Sequence, residues 1–429
     1  MASVKGAASD IPSAPGADAV ALEPPRRLGG PFWRLWLATG ISASGDGLVT
    51  VAVPLLALTI TRNPLLIAGI TAINRASAAV AALPGGVVAD RWDRRSVMVG
   101  CNVLAGVTLF ALVAALTFGV AELVMVYVVA AVLAACDVTY TLAVQGSLPD
   151  LVPPEHLALA NGRTMAVEGA GEQFVGPACG GVLFALARRL PFFVDGASFF
   201  ASAFLVGKNL PRKAPRPRLG TYQSGAGPSD HAVNGDHPVH GETGTVPFEV
   251  EGRPEPTSAR PRWAADFAQG VRVFRREKAL PLLAANISSL AFCQNMIFAL
   301  LILYAKGTLH LTSTGYGFFV AIASLFGLVG AFFGGSLQRR FGPGPLIIGG
   351  TAAALLSYVG LAFTHTVFLA VFVFGLQEIG TVLANVASVT TRQHLIPREL
   401  YGRVGSVHRL SVTVSGAIGA LLAGLIASV

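Results

Sequence analysis

The sequence predicts an all-α integral membrane protein built from two six-helix-type repeats, and three observations carry that prediction. Of 429 residues, 53% are hydrophobic and only 13% are charged, against roughly 25% charged in soluble domains. Apolar runs of 18 or more residues recur along the chain, each long enough to cross a hydrocarbon layer about 30 Å thick. The punctuation between the runs repeats itself in the two halves. Lipid offers the backbone no hydrogen bonds, so a spanning segment is a helix or a barrel strand. These runs are too long and continuous for strands.

The elements follow in order. Residues 1–31 are polar and rich in Ala, Pro and Gly. They lack the short apolar core and cleavage site of a signal peptide and read as a disordered cytoplasmic tail. Spans read as 34–61, 65–88, 96–118, 121–147, 159–187 and 190–207, then 280–304, 314–337, 345–364, 366–391 and 403–428. That makes eleven, with residues 32–207 forming an N-terminal six-helix half and 279–429 a C-terminal half of five spans. The missing twelfth is read as truncation or genuine loss. Residues 208–261 carry Pro, Gly, Ser and charge without apolar periodicity and read as a flexible cytoplasmic linker. In 262–278, Trp263, Phe267, Val271 and Phe274 recur at helical spacing among Arg272, Arg275, Arg276 and Lys278. That pattern suits a short amphipathic interfacial helix, or a solvated lead-in to the next span.

Basic residues set the orientation. With a cytoplasmic N-terminus, 26 of the 31 Lys and Arg fall inside, and Arg62, Arg188, Arg189 and Lys306 fall outside. Setting aside the twelve within 208–279, because long loops carry no weight in this rule, leaves 14 against 4. The net charge of +8 is therefore a topology signal, and nucleic acid is not an expected partner. Cys101, Cys136, Cys179 and Cys293 all lie in apolar runs, so neither a disulfide framework nor a metal site is expected. His231, His237 and His240 cluster in the linker, where nothing fixes a ligand geometry.

The halves align. Gly86-Val-Val-Ala-Asp90-Arg91-Trp92-Asp93-Arg94-Arg95 is matched by Gly335-Ser-Leu-Gln-Arg339-Arg340-Phe341-Gly342. Leu151-Val-Pro153-Pro-Glu155 is matched by Leu395-Ile-Pro397-Arg-Glu399. Two parallel six-helix repeats around a central linker are a known transporter plan. With these motifs, and with Ser44-Gly45-Asp46-Gly47 and Gly176-Pro177-Ala-Cys-Gly180-Gly181, the chain resembles the major facilitator superfamily. Within it, the chain is similar to bacterial exporters of siderophores and macrolides. The resemblance implies a conformational latch at the first charged loop, with Gly86, Asp90, Arg91, Arg94 and Arg95, and with Asp150 as the acidic partner at the end of span four. It also implies an antiporter-like glycine motif at Gly176, Pro177, Gly180 and Gly181. Asp93 stands where that family usually has glycine, and Arg339 where the second loop usually has an acid.

Ionisable groups at membrane depth are costly and mark functional candidates. Asp46 and Arg75 read as a proton-responsive pair, or as a static ion pair holding spans one and two. Glu168 and Glu172 lie four apart on one helical face, suited to a cationic substrate or a proton relay, or Glu168 pairs with a loop arginine. Asp137 and Glu378 occupy nearly matching repeat positions, and Gln294, Asn295, Gln377 and Asn385 add hydrogen-bonding groups to spans expected to line the cavity, or bond between helices. Asp195, near the outer end of span six beside Arg188 and Arg189, reads as a helix cap or as their pairing partner. No His-rich metal cluster, serine nucleophile motif or phosphate-binding glycine loop stands beside a span, so the chain is read as no enzyme, with no cofactor and no metal. The expected activity is proton-coupled export of a small amphiphilic organic compound by a monomer in a bacterial cell membrane. A facilitator or importer on the same fold, and a non-transporting receptor, are the alternatives. Expected partners are a small-molecule substrate, protons and the lipid bilayer.

Overall fold

The structure, a computed structural model, describes residues 28–153, 156–209, 269, 271–396 and 401–428. Side chains at 83–91, 158, 209, 394 and 401–403 lie outside that description. So do the 1–27 tail, the linker histidines, Trp263 and Phe267.

Eleven long helical segments occur among the described residues. They are α1 (Gly30–Ile60), α2 (Pro64–Arg91), α3 (Arg94–Phe118), α4 (Leu123–Leu151), α5, α6 (Leu190–Asn209), α7 (Ala279–Gly307), α8 (Ser313–Phe341), α9 (Pro343–Ala362), α10 (Val367–Leu395) and α11 (Tyr401–Ala427). Ten are uninterrupted and long and apolar enough to cross a membrane. The remaining crossing, α5, runs Leu157–Gly169, passes through a π-helical segment Ala170–Val175, and continues as Gly176–Leu186. Each expected span has its helix.

Local chemistry sets the boundaries. The Asp93 carboxylate accepts from the Ser96 backbone N–H at 3.1 Å and from its hydroxyl at 2.8 Å, capping α3. The residue that departs from the expected glycine is thus a helix N-cap. Helix α3 ends at Gly119, which takes a left-handed φ of 73°. Helix α4 stops at Leu151 because Val152 precedes a proline and is extended, and α10 stops at Leu395 with Ile396 extended in the same way. The repeated Leu-x-Pro phrases are matched helix stops. Thr312 caps α8 by accepting from the Gly315 N–H at 3.0 Å.

Helices α1–α6 pack mainly among themselves, as do α7–α11, and the two sets meet through α2 with α11, α5 with α8 and α2 with α7. The largest buried apolar cluster joins both sets at one end of the bundle. It runs from Leu55 and Leu56 of α1 and Phe184 and Phe192 to Leu301 and Ile302 of α7 and Tyr316 and Phe319 of α8. At the opposite end the core is divided. Phe32, Leu35, Met98 and Leu148 form one cluster in the first set, while Leu280, Ile396 and Val404 form a separate one in the second. Outward faces carry large exposed apolar side chains such as Phe332 at 80% and Phe368 at 86%, the surface expected to face lipid.

Residues 271–276 are helical. Val273 and Phe274 pack against the Leu280, Ile396 and Val404 cluster, while Arg272, Arg275 and Arg276 are exposed. Of the apolar stripe expected on this segment, Phe274 thus packs on the protein, while Trp263 and Phe267 lie outside the described residues.

Candidate functional site

Helix α1 is held between α5 and α6, and the phrase Ser44 to Gly47 makes this possible. A methyl group added at Gly45 would stand 2.0 Å from an Asp195 carboxylate oxygen of α6. One added at Gly47 would stand 2.6 Å from the Glu172 carbonyl oxygen and 2.9 Å from Gly176 Cα in α5. The glycines flanking Asp46 therefore bring two neighbours to backbone contact. On the α5 side they meet the π-helical turn, where the Gly176 N–H reaches back to the Gly171 carbonyl. Such turns add a residue to the helix and are frequent at functional sites.

Asp46, Asp137, Glu168 and Glu172 all line one cavity of about 240 Å³ formed by helices α1, α3, α4, α5 and α6. Its remaining polar wall includes Thr39, Ser42, Asn102, Tyr140 and Thr141, and Phe199 supplies an aromatic face. The hydroxyls of Thr39 and Tyr140 lie 3.4 Å apart. Asn102 donates to the Ser202 hydroxyl at 2.9 Å. None of the four carboxylates makes an ion pair among the described residues. Were all four ionised they would repel one another, with the Arg75 guanidinium reaching only Glu172 and Asp137, and a proton or a cationic ligand relieves that repulsion.

Several expected site residues stand elsewhere. The pair expected between Asp46 and Arg75 is not formed. Arg75 Nε instead donates to Asn295 Oδ1 of α7 at 2.9 Å, a hydrogen bond between the two helix sets, and the carboxylates within electrostatic reach of its guanidinium are Glu172 and Asp137. Asn295 is buried against Gly416 of α11 and also donates to its own Ala291 carbonyl. It bridges helices and does not line the cavity. Gln377 is fully buried, donates to Thr381 within its own helix, and is not among the residues lining the cavity. Gln294 of α7 donates to Glu378 Oε1 of α10 at 3.5 Å, and Asn385 is exposed. None of these second-half residues lines the carboxylate cavity.

Asp195 corrects the sequence reading most clearly. It makes no ion pair with Arg188 or Arg189, which line a different cavity. It is fully buried against Gly45, accepts from the Ser198 hydroxyl at 3.1 Å, and leaves its other carboxylate oxygen without a hydrogen-bond partner. The sequence carries a signal for this in the spacing of Asp195, Ser198 and Ser202, which places three polar groups on one helical face.

At the divided end of the bundle, Arg94 Nη1 forms an ion pair with Asp150 Oδ2 at 2.9 Å and also donates to the Gly146 carbonyl. Arg95 donates to the Gly207 carbonyl, tying α3 to α6. The side chains of Gly86, Asp90 and Arg91 lie outside the described residues. In the second charged loop Arg339 donates to Ser336 one turn back at 3.1 Å.

The glycine motif of α5 forms a two-sided seam. A methyl group at Gly176 would stand 2.4 Å from Gly47 Cα, and one at Gly180 would stand 2.7 Å from the Leu48 carbonyl oxygen of α1. A methyl group at Gly181 would stand 2.5 Å from the Ser313 carbonyl oxygen of α8, and one at Gly317 would stand 2.4 Å from the Pro177 carbonyl oxygen. A methyl group at Gly424 of α11 would stand 2.7 Å from Ala68 Cβ and 2.9 Å from Leu65 Cα of α2. Among the described glycines, these contacts between the two helix sets all fall at the end with the joined core.

Comparison with known proteins places this architecture. The family model described as Major Facilitator Superfamily matches residues 35–420. An uncharacterized MFS-type transporter, YfnC, of Bacillus subtilis (strain 168) is 34% identical over 131 residues. That alignment spans 28% of this chain and 29% of the relative. Among solved structures, a bacterial homolog to the human lysosomal transporter Spinster, inward-facing and unoccupied, superposes with a TM-score of 0.69 at 16% identity. It covers 93% of this chain and 82% of that one. The nucleoside transporter NupG superposes with a TM-score of 0.64 at 11% identity, covering 93% and 90%. At such identities the likeness is one of fold. With most of its length matched by the family model and its helices arranged as in those structures, the chain belongs to the Major Facilitator Superfamily, a family of secondary transporters that work by alternating access.

Proposed function

We propose that this protein is a proton-coupled exporter of a small amphiphilic organic compound, of the kind represented by drugs, siderophores and secondary metabolites. The cavity lined by Asp46, Asp137, Glu168 and Glu172 carries the reading. A carboxylate that faces a cavity and has no fixed counter-ion can take a proton or a cationic group at different stages of a cycle. Proton entry supplies about 2.3 kcal/mol per elementary charge at 100 mV, which drives export if the two occupancies exclude each other. Asp46 is the leading coupling group. It sits at mid-helix in α1, against the π-helical turn of α5, so a change of charge there bears on the helix that also touches α8.

The joined core at one end and the divided core at the other support a state open at the end carrying Arg94 and Asp150. With the positive-charge bias that end is cytoplasmic, in the membrane of a bacterial cell. The resemblance of the Asp46 phrase and the α5 glycine motif to siderophore and macrolide exporters supports export over import. The test is a growth screen against a panel of toxic compounds in cells with and without the protein. It is followed by uptake of the protected compound into inverted vesicles. Uptake that stops when the proton gradient is collapsed supports the proposal. Uptake that continues unchanged makes the protein a facilitator.

A further inference from the structure

At the end with the joined core, a second cavity of about 410 Å³ opens between the end of α1, the α3–α4 connection and the α5–α6 turn. Its wall is apolar at Leu56, Ile60 and Leu116, and its rim carries Arg188 and Arg189. Both arginines are exposed and neither forms an ion pair among the described residues. They occupy a three-residue turn leading into α6, whose first turn holds no acidic residue, so the helix dipole adds to their field. Phe118, Val120 and Leu186, each next in the chain to a lining residue, are 79%, 58% and 72% exposed, so apolar surface continues along the chain beside the cavity. Two guanidinium forks above an apolar cleft at the edge of a membrane-spanning bundle match a phosphate carried on hydrocarbon. Moreover, the positive-charge bias disfavours arginine at this end, so a topology role does not account for the pair.

We propose that this cleft binds an anionic phospholipid, its headgroup phosphate on Arg188 and Arg189 and its glycerol and upper acyl chain against Ile60 and Leu116. A lipid seated there touches α1, α3 and the α5–α6 turn together and fastens the closed end of the first helix set.

The full-length protein, stripped of lipid in a neutral detergent, is titrated with phosphatidylglycerol and with phosphatidylcholine, and the tightest-bound lipid is followed by native mass spectrometry. Wild type prefers phosphatidylglycerol. Arg188→Gln with Arg189→Gln weakens that binding about a hundredfold, the scale of two lost charge-assisted hydrogen bonds, while Arg188→Lys with Arg189→Lys keeps part of it. Ala121→Trp, which fills the cleft from a loop and leaves both arginines in place, weakens it as well. Inorganic phosphate does not displace the lipid, since it gains nothing from the apolar wall. Equal phosphatidylglycerol binding by wild type and the double glutamine variant overturns the proposal. So does undiminished binding in Ala121→Trp, and displacement by inorganic phosphate would make this a soluble-anion site instead.

Discussion

Asp46 was legible in the sequence because a carboxylate flanked by glycines in an apolar run has few structural excuses. Its neighbours were harder to read. Asp195 lies six residues from Arg189 in the chain, which suggested pairing, yet the helix turns it inward onto Gly45 and away from both arginines. Arg75 was legible as an intramembrane cation, but its partner Asn295 is 220 residues away, and no local pattern reports a contact between helix sets. The glycines make a prediction at this scale. Gly47→Ala forces a methyl group against the backbone of α5, which cannot swing aside as a side chain can, and should destabilise the protein by roughly 1–3 kcal/mol. Gly349→Ala, where nothing stands within 4 Å, should be neutral or slightly stabilising. Thermal unfolding in detergent checks the pair, and equal transitions would show that α1 does not need the close approach at Gly47.

Among the elements, the helices were readable because continuous apolar runs and pre-proline stops are local signals. The π-helical turn was not, since one extra residue in a helix leaves no mark in composition. Asp93 departs from the glycine usual in the family and is the cap that starts α3. Its neighbour Arg94 reaches across to α4. These two roles separate experimentally. Asp93→Ala should cost about 1 kcal/mol of stability and leave transport measurable. Arg94→Ala and Asp150→Asn should each strongly reduce transport while the protein still inserts and binds substrate. Normal transport by both of the latter would reduce the loop to a charge signal. The α5 seam gives a second test. Gly181→Leu cannot approach Ser313 and Gly317, so it should part α5 from α8. A cysteine placed at Tyr316, fully buried in the joined core, should become reactive to a water-soluble maleimide in that variant. Unchanged protection would mean that the seam does not hold this end shut.

For the whole molecule, two repeats and eleven crossings could be read from periodicity and the paired motifs, whereas the state of the bundle could not. Whether cores join or divide depends on contacts between Leu56, Phe184, Leu301 and Phe319, residues that read as ordinary apolar positions in their own helices. The sequence also spread candidate polar groups over both halves, while the described cavity gathers its carboxylates in the first half alone. If that asymmetry drives transport, protons act through α1, α4 and α5, and the second half answers through α8. The most direct test reconstitutes wild type and Asp46→Asn in proteoliposomes with a transported compound from the growth screen. Asn keeps the size and hydrogen bonding of the side chain and removes its proton exchange. Uphill transport driven by an imposed pH gradient should be lost in Asp46→Asn, while exchange of the compound down its own gradient persists. Full proton-driven transport by Asp46→Asn would contradict the account.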